Sequence, residues 1–303
     1  MSRNRLSEAV RAGRVLVSDG AWGTFLQARG LAPGECPELW CVERPADVEV
    51  IPRAYVAAGA DIVKTNSFGG NRIRLAKFGL ADRDAELNEA AARISRRAAG
   101  PDRWVIGSMG PTGKLLALDD VAEEEMFAAF AAQAAALAAG GADAFCVETM
   151  AATDEAVLAI RAAQSVAPLE IICTFTFSPM PDGSHRTMMG HTPAEAMRAV
   201  REAGADIVGA NCGTGSADMV AVVREIAAAV PGAVILVHPN AGLPTLRDGQ
   251  QVWPEGPEDM AARVPELLEA GASIVGGCCG TAPDHIRAIR AAVGRWVAAH
   301  AGR

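Results

Sequence analysis

Two short stretches of the chain bring three thiols to places where they could hold a metal. Gly276-Gly277-Cys278-Cys279-Gly280-Thr281 lies near the C-terminus, and Ala210-Asn211-Cys212-Gly213 lies upstream, with 66 positions between Cys212 and Cys278. Each follows an apolar run, Ser273-Ile274-Val275 or Asp206-Ile207-Val208-Gly209, that reads as a short buried strand. Each is followed by helix-start signals. Side chains along a strand alternate faces, so Cys278 and Cys279 converge only where the strand has begun to turn, and the flanking glycines permit that turn. Three thiolates with one position open are the donor set of a catalytic zinc, whereas a structural zinc closes all four. A single strand-end cysteine is more often a small packing hydrophobe, and no CxxC spacing of a zinc finger is present. The glycine-wrapped pair, matched by a cysteine at an equivalent strand end, favours the metal.

The elements that must position these thiols are legible as an alternation. Apolar runs of strand length fall at 15–21, 61–68, 104–110, 144–149, 170–177, 206–212, 233–240 and 273–278. Between and after them, stretches with helical patterning fall at 47–58, 82–99, 121–139, 153–166, 192–203, 216–229, 257–270 and 283–300. Eight βα units with fully apolar strands predict a (β/α)8 TIM barrel, a single domain over 1–303, in preference to an open doubly wound sheet. A degenerate repeat supports this. Ala58-Gly59-Ala60-Asp61 recurs as Gly140-Gly141-Ala142-Asp143, Ala203-Gly204-Ala205-Asp206 and Ala270-Gly271-Ala272-Ser273, each ending a helix on glycine and entering a strand. Thr192-Pro193-Ala194-Glu195 reads as a capping box, and Thr153, Ser216 and Thr281 or Asp284 are expected to start their helices. Residues 30–46, with Cys36, Trp40 and Cys41, form a longer first loop expected to lie over the barrel mouth.

Barrel active sites lie at the carboxyl ends of the strands. Those ends carry Asp19, the stretch Lys64-Thr65-Asn66-Ser67-Phe68, then Ser108, Glu148 and Asn240. Asp19 and Glu148 are two carboxylates expected in the same mouth as the thiols, although either could simply cap a helix. Gly107 to Lys114 has the wrong spacing for a phosphate loop. His185 and His191 read as solvated loop residues. Lys64 leaves open a metal-free lyase or aldolase that uses its amine as a Schiff base.

Composition narrows the class. A net charge of −8 without a basic cluster argues against nucleic acid. No apolar run approaches the ~20 residues of a membrane span, and residues 1–14 lack the apolar core of a signal peptide. Seven cysteines, an odd number, fit reduced thiols in the cytoplasm better than a disulfide framework. Half of the chain is hydrophobic and 5% aromatic, as suits Ala-rich helices around a small-residue barrel.

Taken in order, Asp19-Gly20-Ala21-Trp22-Gly23-Thr24, Thr65 to Asn71, Gly107 to Gly113, Glu148-Thr149, Asn211-Cys212 and Gly277-Cys278-Cys279-Gly280-Thr281 resemble the homocysteine S-methyltransferase family. Thr65 to Arg72 and Gly110 to Lys114 are most similar to the homocysteine-binding module of cobalamin-dependent methionine synthases. The resemblance implies one zinc on Cys212, Cys278 and Cys279, with Asn240 as a fourth ligand when substrate is absent. It implies that Asp19 and Glu148 hold the substrate α-ammonium, with Thr65, Asn66 and Ser108 as further substrate contacts. The reaction implied is attack of a zinc-held homocysteine thiolate on an activated methyl group, giving methionine.

Relatives of this kind take methyl from cobalamin, S-methylmethionine, S-adenosylmethionine or betaine. A sulfonium or betaine donor calls for aromatic faces, and Trp22, Trp40 and Phe68 are the candidates near the mouth, since Tyr55 lies within a helix. This thin supply favours a methyl-corrinoid, and because the sequence has no room for folate and cobalamin domains beside the barrel, the expected carrier is a separate protein. A non-catalytic binding subunit of a corrinoid methyl-transfer complex is the reading from another class.

Overall fold

The computed structural model describes residues 5–118, 120–247 and 250–300, so the expected single domain over 1–303 extends at both ends beyond the described residues. Eight parallel strands among them form the barrel: β1 Leu16–Val17, β2 Ile62–Lys64, β3 Trp104–Met109, β4 Ala144–Met150, β5 Glu170–Phe175, β6 Ile207–Asn211, β7 Val234–His238 and β8 Ile274–Val275. They pair in the order β1-β8-β7-β6-β5-β4-β3-β2. A parallel bridge between Ser18 and Ile62 closes β1 on β2. The outer layer is α1 Pro45–Ala57, α2 Asp84–Ala99, α3 Glu123–Ala139, α4 Thr153–Gln164, α5 Pro193–Glu202, α6 Ser216–Ala229, α7 Pro257–Glu269 and α8 Pro283–His300. This is the (β/α)8 architecture expected from the alternation. No helix among the described residues is long and apolar enough to cross a membrane.

The repeat has a physical purpose at each occurrence. Gly59, Gly141, Gly204 and Gly271 all take positive φ, between 97° and 119°, a conformation that suits glycine and turns each chain from helix into strand. The aspartate that follows reaches the preceding strand. Asp61 accepts from Val17 N–H at 2.9 Å, Asp143 from Val105 N–H at 2.7 Å and Asp206 from Ile171 N–H at 2.9 Å. Three even-numbered strands are thereby pinned in register to their odd-numbered neighbours.

Strand residues alternate between two apolar layers. Leu16, Ile62, Ile106, Cys146, Ile172 and Ile207 fill the barrel interior, while Val17, Val63, Val105, Val147, Ile171 and Val208 pack in the other cluster, with the helices. The lower end of the barrel is plugged by a helix at Leu6–Arg11 that the sequence pattern did not reveal. Its Leu6 and Ala9 join the interior layer, and the buried Glu170 accepts from the N–H groups of Leu6 at 2.5 Å and Ser7 at 3.0 Å.

Several boundaries depart from expectation. The ladder of β1 and β8 covers two residues each because the chain leaves it at Ser18-Asp19 and Gly276-Gly277 to build the mouth. Thr192 forms the expected capping box with Glu195. Thr153 and Ser216 are instead the first residues of their helices, and Ser216 Oγ donates to Glu255 at 2.5 Å. Two small hairpins, Ser178–Pro179 with His185–Arg186 and Thr245–Arg247 with Gln250–Val252, were also unforeseen.

Candidate metal centre and substrate cavity

The three thiols converge. The Sγ atoms of Cys212, Cys278 and Cys279 lie within 4.8 Å of one another, on residues that are neither fully buried nor exposed. The strand between them does the positioning: β7 offers its His238 carbonyl to Cys212 N–H at 3.0 Å and the following Pro239 carbonyl to Cys278 N–H at 2.8 Å. Cys212 takes a left-handed backbone, φ 59°, which is costly for a residue with a side chain. The turn after Val275 needs its glycines for different reasons. A Cβ on Gly277 would stand 2.5–2.8 Å from the Thr281 side chain, whereas Gly280 has φ 81° and lies under Trp253.

The donor set fits a metal with one open position. Cys278 and Cys279 hydrogen-bond Cys212 and lower its thiol below the ordinary range, while their contacts with Cys212 raise their own. The Asn240 side chain also bonds Cys212, yet its Oδ1 is buried with no partner of its own. Such an orphaned oxygen beside three thiols is in place to serve as a fourth donor.

The thiols form part of the wall of a cavity of about 600 Å³, which also includes Lys64, Thr65, Asn66, Ser108 and Glu148. Glu148 is aimed by an irregularity in its strand. The register of β4 against β5 shifts between Val147 and Met150, and Thr149 adopts φ 62°. Asn211 holds this kink: its Oδ1 accepts from Thr149 N–H at 2.9 Å and Thr174 Oγ at 2.6 Å, and its Nδ2 donates to Thr149 Oγ at 2.7 Å. The same Nδ2 lies 3.9 Å from Cys278 Sγ, so one amide links the carboxylate wall to the thiols.

The other expected substrate residues divide. Ser108 Oγ donates to Glu148 Oε1 and lines the cavity. Thr65 Oγ accepts from Ser108 N–H at 2.9 Å, and Asn66 Nδ2 donates to Pro37 O at 2.7 Å, fastening the first loop. That loop contributes Gly34, Glu35, Pro37 and Glu38 to the wall, as expected of a segment over the mouth. Asp19 is different. It is fully buried, does not line the cavity, and its Oδ2 is occupied by Lys64 N–H at 2.7 Å and Trp22 Nε1 at 2.8 Å. Burial raises its carboxyl to about 6, against the opposing pull of Lys64.

Lys64, for which the sequence offers only a Schiff-base role, has a different setting. It is 5% exposed and its Nζ lies 3.5 Å from Glu148 Oε2. Burial acts to lower its pKa, but Glu148 and Asp19 prevail and hold it above the ordinary lysine value. A protonated amine is no nucleophile, so the lyase reading loses its reactive group. The sequence signal was available: a lysine closing the apolar run Asp61-Ile62-Val63 must bring its charge into the barrel mouth.

Trp22 and Phe68 line the cavity as expected; Trp40 does not, being buried with Arg44 stacked 3.7 Å from its ring centroid, and Phe78 joins the lining unforeseen. Neither histidine joins the thiol cluster; His185, expected to be solvated, is buried in the first hairpin with Nε2 unpartnered, and His191 Nε2 meets Thr153 Oγ1 at 3.3 Å.

The chain is 38% identical over 302 residues to the methionine synthases of Mycobacterium leprae and Mycobacterium tuberculosis; the match covers 94% of this chain and 25% of each relative, so the chain spans about a quarter of their length. The fold matches the metallated form of the homocysteine methyltransferase MmuM from Escherichia coli, with a TM-score of 0.77, 24% identity, and coverage of 95% of this chain and 99% of that one. A methyltransferase from Methanosarcina mazei shares the fold at a TM-score of 0.58 and 13% identity, over 95% of this chain and 97% of the other. The family model for homocysteine S-methyltransferases matches residues 16–293, and the chain belongs to that family.

Proposed function

We propose that this barrel methylates homocysteine to methionine on a zinc ion held by Cys212, Cys278 and Cys279, with the methyl group supplied by a corrinoid on a separate protein. The observation that carries the reading is the convergence of three thiols, open on one side, in the wall of the cavity that Glu148 also lines. Zinc there would take the substrate sulfur in the open position and keep it as the thiolate at neutral pH. Asn240 Oδ1, buried without a partner, offers a donor until substrate arrives. Glu148, fixed by Ser108 and by the Asn211 clamp, presents carboxylate oxygen to the substrate α-ammonium. Asp19 acts from behind the wall by holding Lys64 and Trp22.

The choice of donor rests on the mouth. The cavity falls within the ~300–1,000 Å³ typical of sites for drug-sized ligands, more than a four-carbon amino acid fills. One of its three aromatic faces is already taken by a cation, which leaves few for a sulfonium. Arg74 already lies 5.2 Å from the Phe68 ring centroid, and Trp22 is tied to Asp19. The rim carries exposed apolar side chains on loops after four strands: Phe78, Leu118, Met180, Met188, Leu243 and Leu246, the fourth and last about 80% exposed. Apolar surface gathered at one face suits a protein that presents the methyl group. The reading is tested by methionine formation from homocysteine with methylcobalamin and S-methylmethionine assayed side by side on zinc-loaded protein. Turnover with methylcobalamin alone is expected; turnover with S-methylmethionine alone would replace the corrinoid donor by a sulfonium.

A further inference from the structure

Among the described residues, the ammonium of Lys64 is the buried cation of the cavity wall, and the mechanism above gives it no task. We propose that Lys64 binds the α-carboxylate of the acceptor, so that Lys64 and Glu148 together select a thiol carrying an intact amino-acid zwitterion. The inference rests on the homocysteine reading and deepens it.

Three observations carry it. First, the Lys64 side chain is 6% exposed, and an ammonium has three N–H donors to satisfy. Among the described residues its ion-pair partner is Glu148 Oε2, at a long 3.5 Å. A buried cation held so loosely is costly unless something else completes its shell. Second, Asp19 cannot complete it by swinging into the cavity, because its Oδ2 is fixed by the backbone N–H of Lys64 and by Trp22. Third, Lys64 lines the same cavity as the three thiols, on the wall shared with Glu148. A ligand whose sulfur sits at the thiols and whose ammonium meets Glu148 carries its carboxylate on the same carbon as that ammonium. The nearest buried cation is then Lys64.

Charge balance points the same way. Asp19, Glu148 and Lys64 sum to −1 when ionised, and a zwitterion adds no net charge while giving each ion in the wall a partner. Arg74, the other cation of the wall, is occupied: its guanidinium lies over Phe68, Nη1 donates to Pro111 O at 3.3 Å, and it is only half-buried.

The test is calorimetric binding of L-homocysteine and of 3-aminopropane-1-thiol, which lacks only the carboxylate, to zinc-loaded protein. The wild type is expected to bind homocysteine at least about tenfold more tightly than the analogue. Lys64→Met should weaken homocysteine by roughly 10- to 100-fold, as for loss of a hydrogen bond to a charged group, and leave the analogue unchanged or tighter. Lys64→Arg should retain most of the discrimination. Equal weakening of both thiols by Lys64→Met, or an unchanged ratio, would overturn the proposal. If Lys64→Met does not fold, the wild-type ratio decides, and equal affinity for the two thiols overturns it. A zinc-loaded wild type that binds neither thiol sinks the homocysteine reading itself and this role with it, an outcome distinct from binding without discrimination.

Discussion

At the scale of single residues, the thiols and the charges behind them obey different physics. Cys212 stands at the end of β6 in a left-handed conformation, with the sulfurs of Cys278 and Cys279 within 4.8 Å of its own. Removing it leaves two thiols, too few to hold a metal with an open position. Cys212→Ala is therefore expected to lose its zinc, measured by metal analysis after dialysis, and to lose methyl transfer below detection; zinc retained at one equivalent would refute the three-thiol centre. The charges give a pH signature. Burial raises Asp19 from 3.8 to about 6 in the folded protein, so between those values the folded state binds more protons than the unfolded one. Its contribution to stability is then lost as pH rises through that window, by an amount on the order of 3 kcal/mol. Denaturant titrations of metal-free protein at pH 4 and pH 7 should show the stability of the wild type falling, relative to that of Asp19→Asn, by this amount between the two pH values.

At the scale of elements, strand ends converge because backbone contacts leave no slack. β7 is hydrogen-bonded to β6 on one side and β8 on the other, and its last carbonyls position cysteines from both. Gly209, in the middle of β6, shows how tight this is: a Cβ there would stand 1.7 Å from the Leu236 carbonyl oxygen, a backbone atom that cannot turn away. Gly209→Ala should therefore destabilise by about 3 kcal/mol or more, lowering the melting temperature by roughly 10 °C. A melting temperature within a degree or two of wild type would mean that the two strands separate easily. The same tightness explains the helices. Their positions follow from periodicity and from the glycine that ends each repeat, and these local signals placed all eight within a few residues. The plug helix at Leu6–Arg11 escaped notice because six residues are too few for a period, and its place is set by Glu170, 164 positions away from Leu6.

At the scale of the whole molecule, a metal on the three thiols would tie the ends of β6 and β8, which are not hydrogen-bonded neighbours, across the barrel mouth. Any ligand that binds only the folded state stabilises it, by about 2.7 kcal/mol at a hundredfold excess over Kd. Chelation is thus expected to lower the melting temperature by roughly 5–10 °C, reversibly on adding zinc back. No shift in wild type would mean that the thiols hold no tightly bound zinc. On the proposed reading the polar floor takes the small zwitterion and the apolar rim meets the larger methyl carrier.

The sequence by itself determined the alternation of strands and helices, the barrel they close, and the three strand-end cysteines. Each of these depends on local periodicity, on turn chemistry, or on a residue's place along one strand. What the tertiary structure decided was which side chains meet across strands. It buried Asp19 behind the wall, brought Lys64 against Glu148, drew Asn211 onto Thr149, and left Trp40 out of the cavity while bringing Phe78 in. Those pairings span tens of residues and depend on strand register, barrel closure and the kink at Glu148-Thr149, which no window along the chain contains.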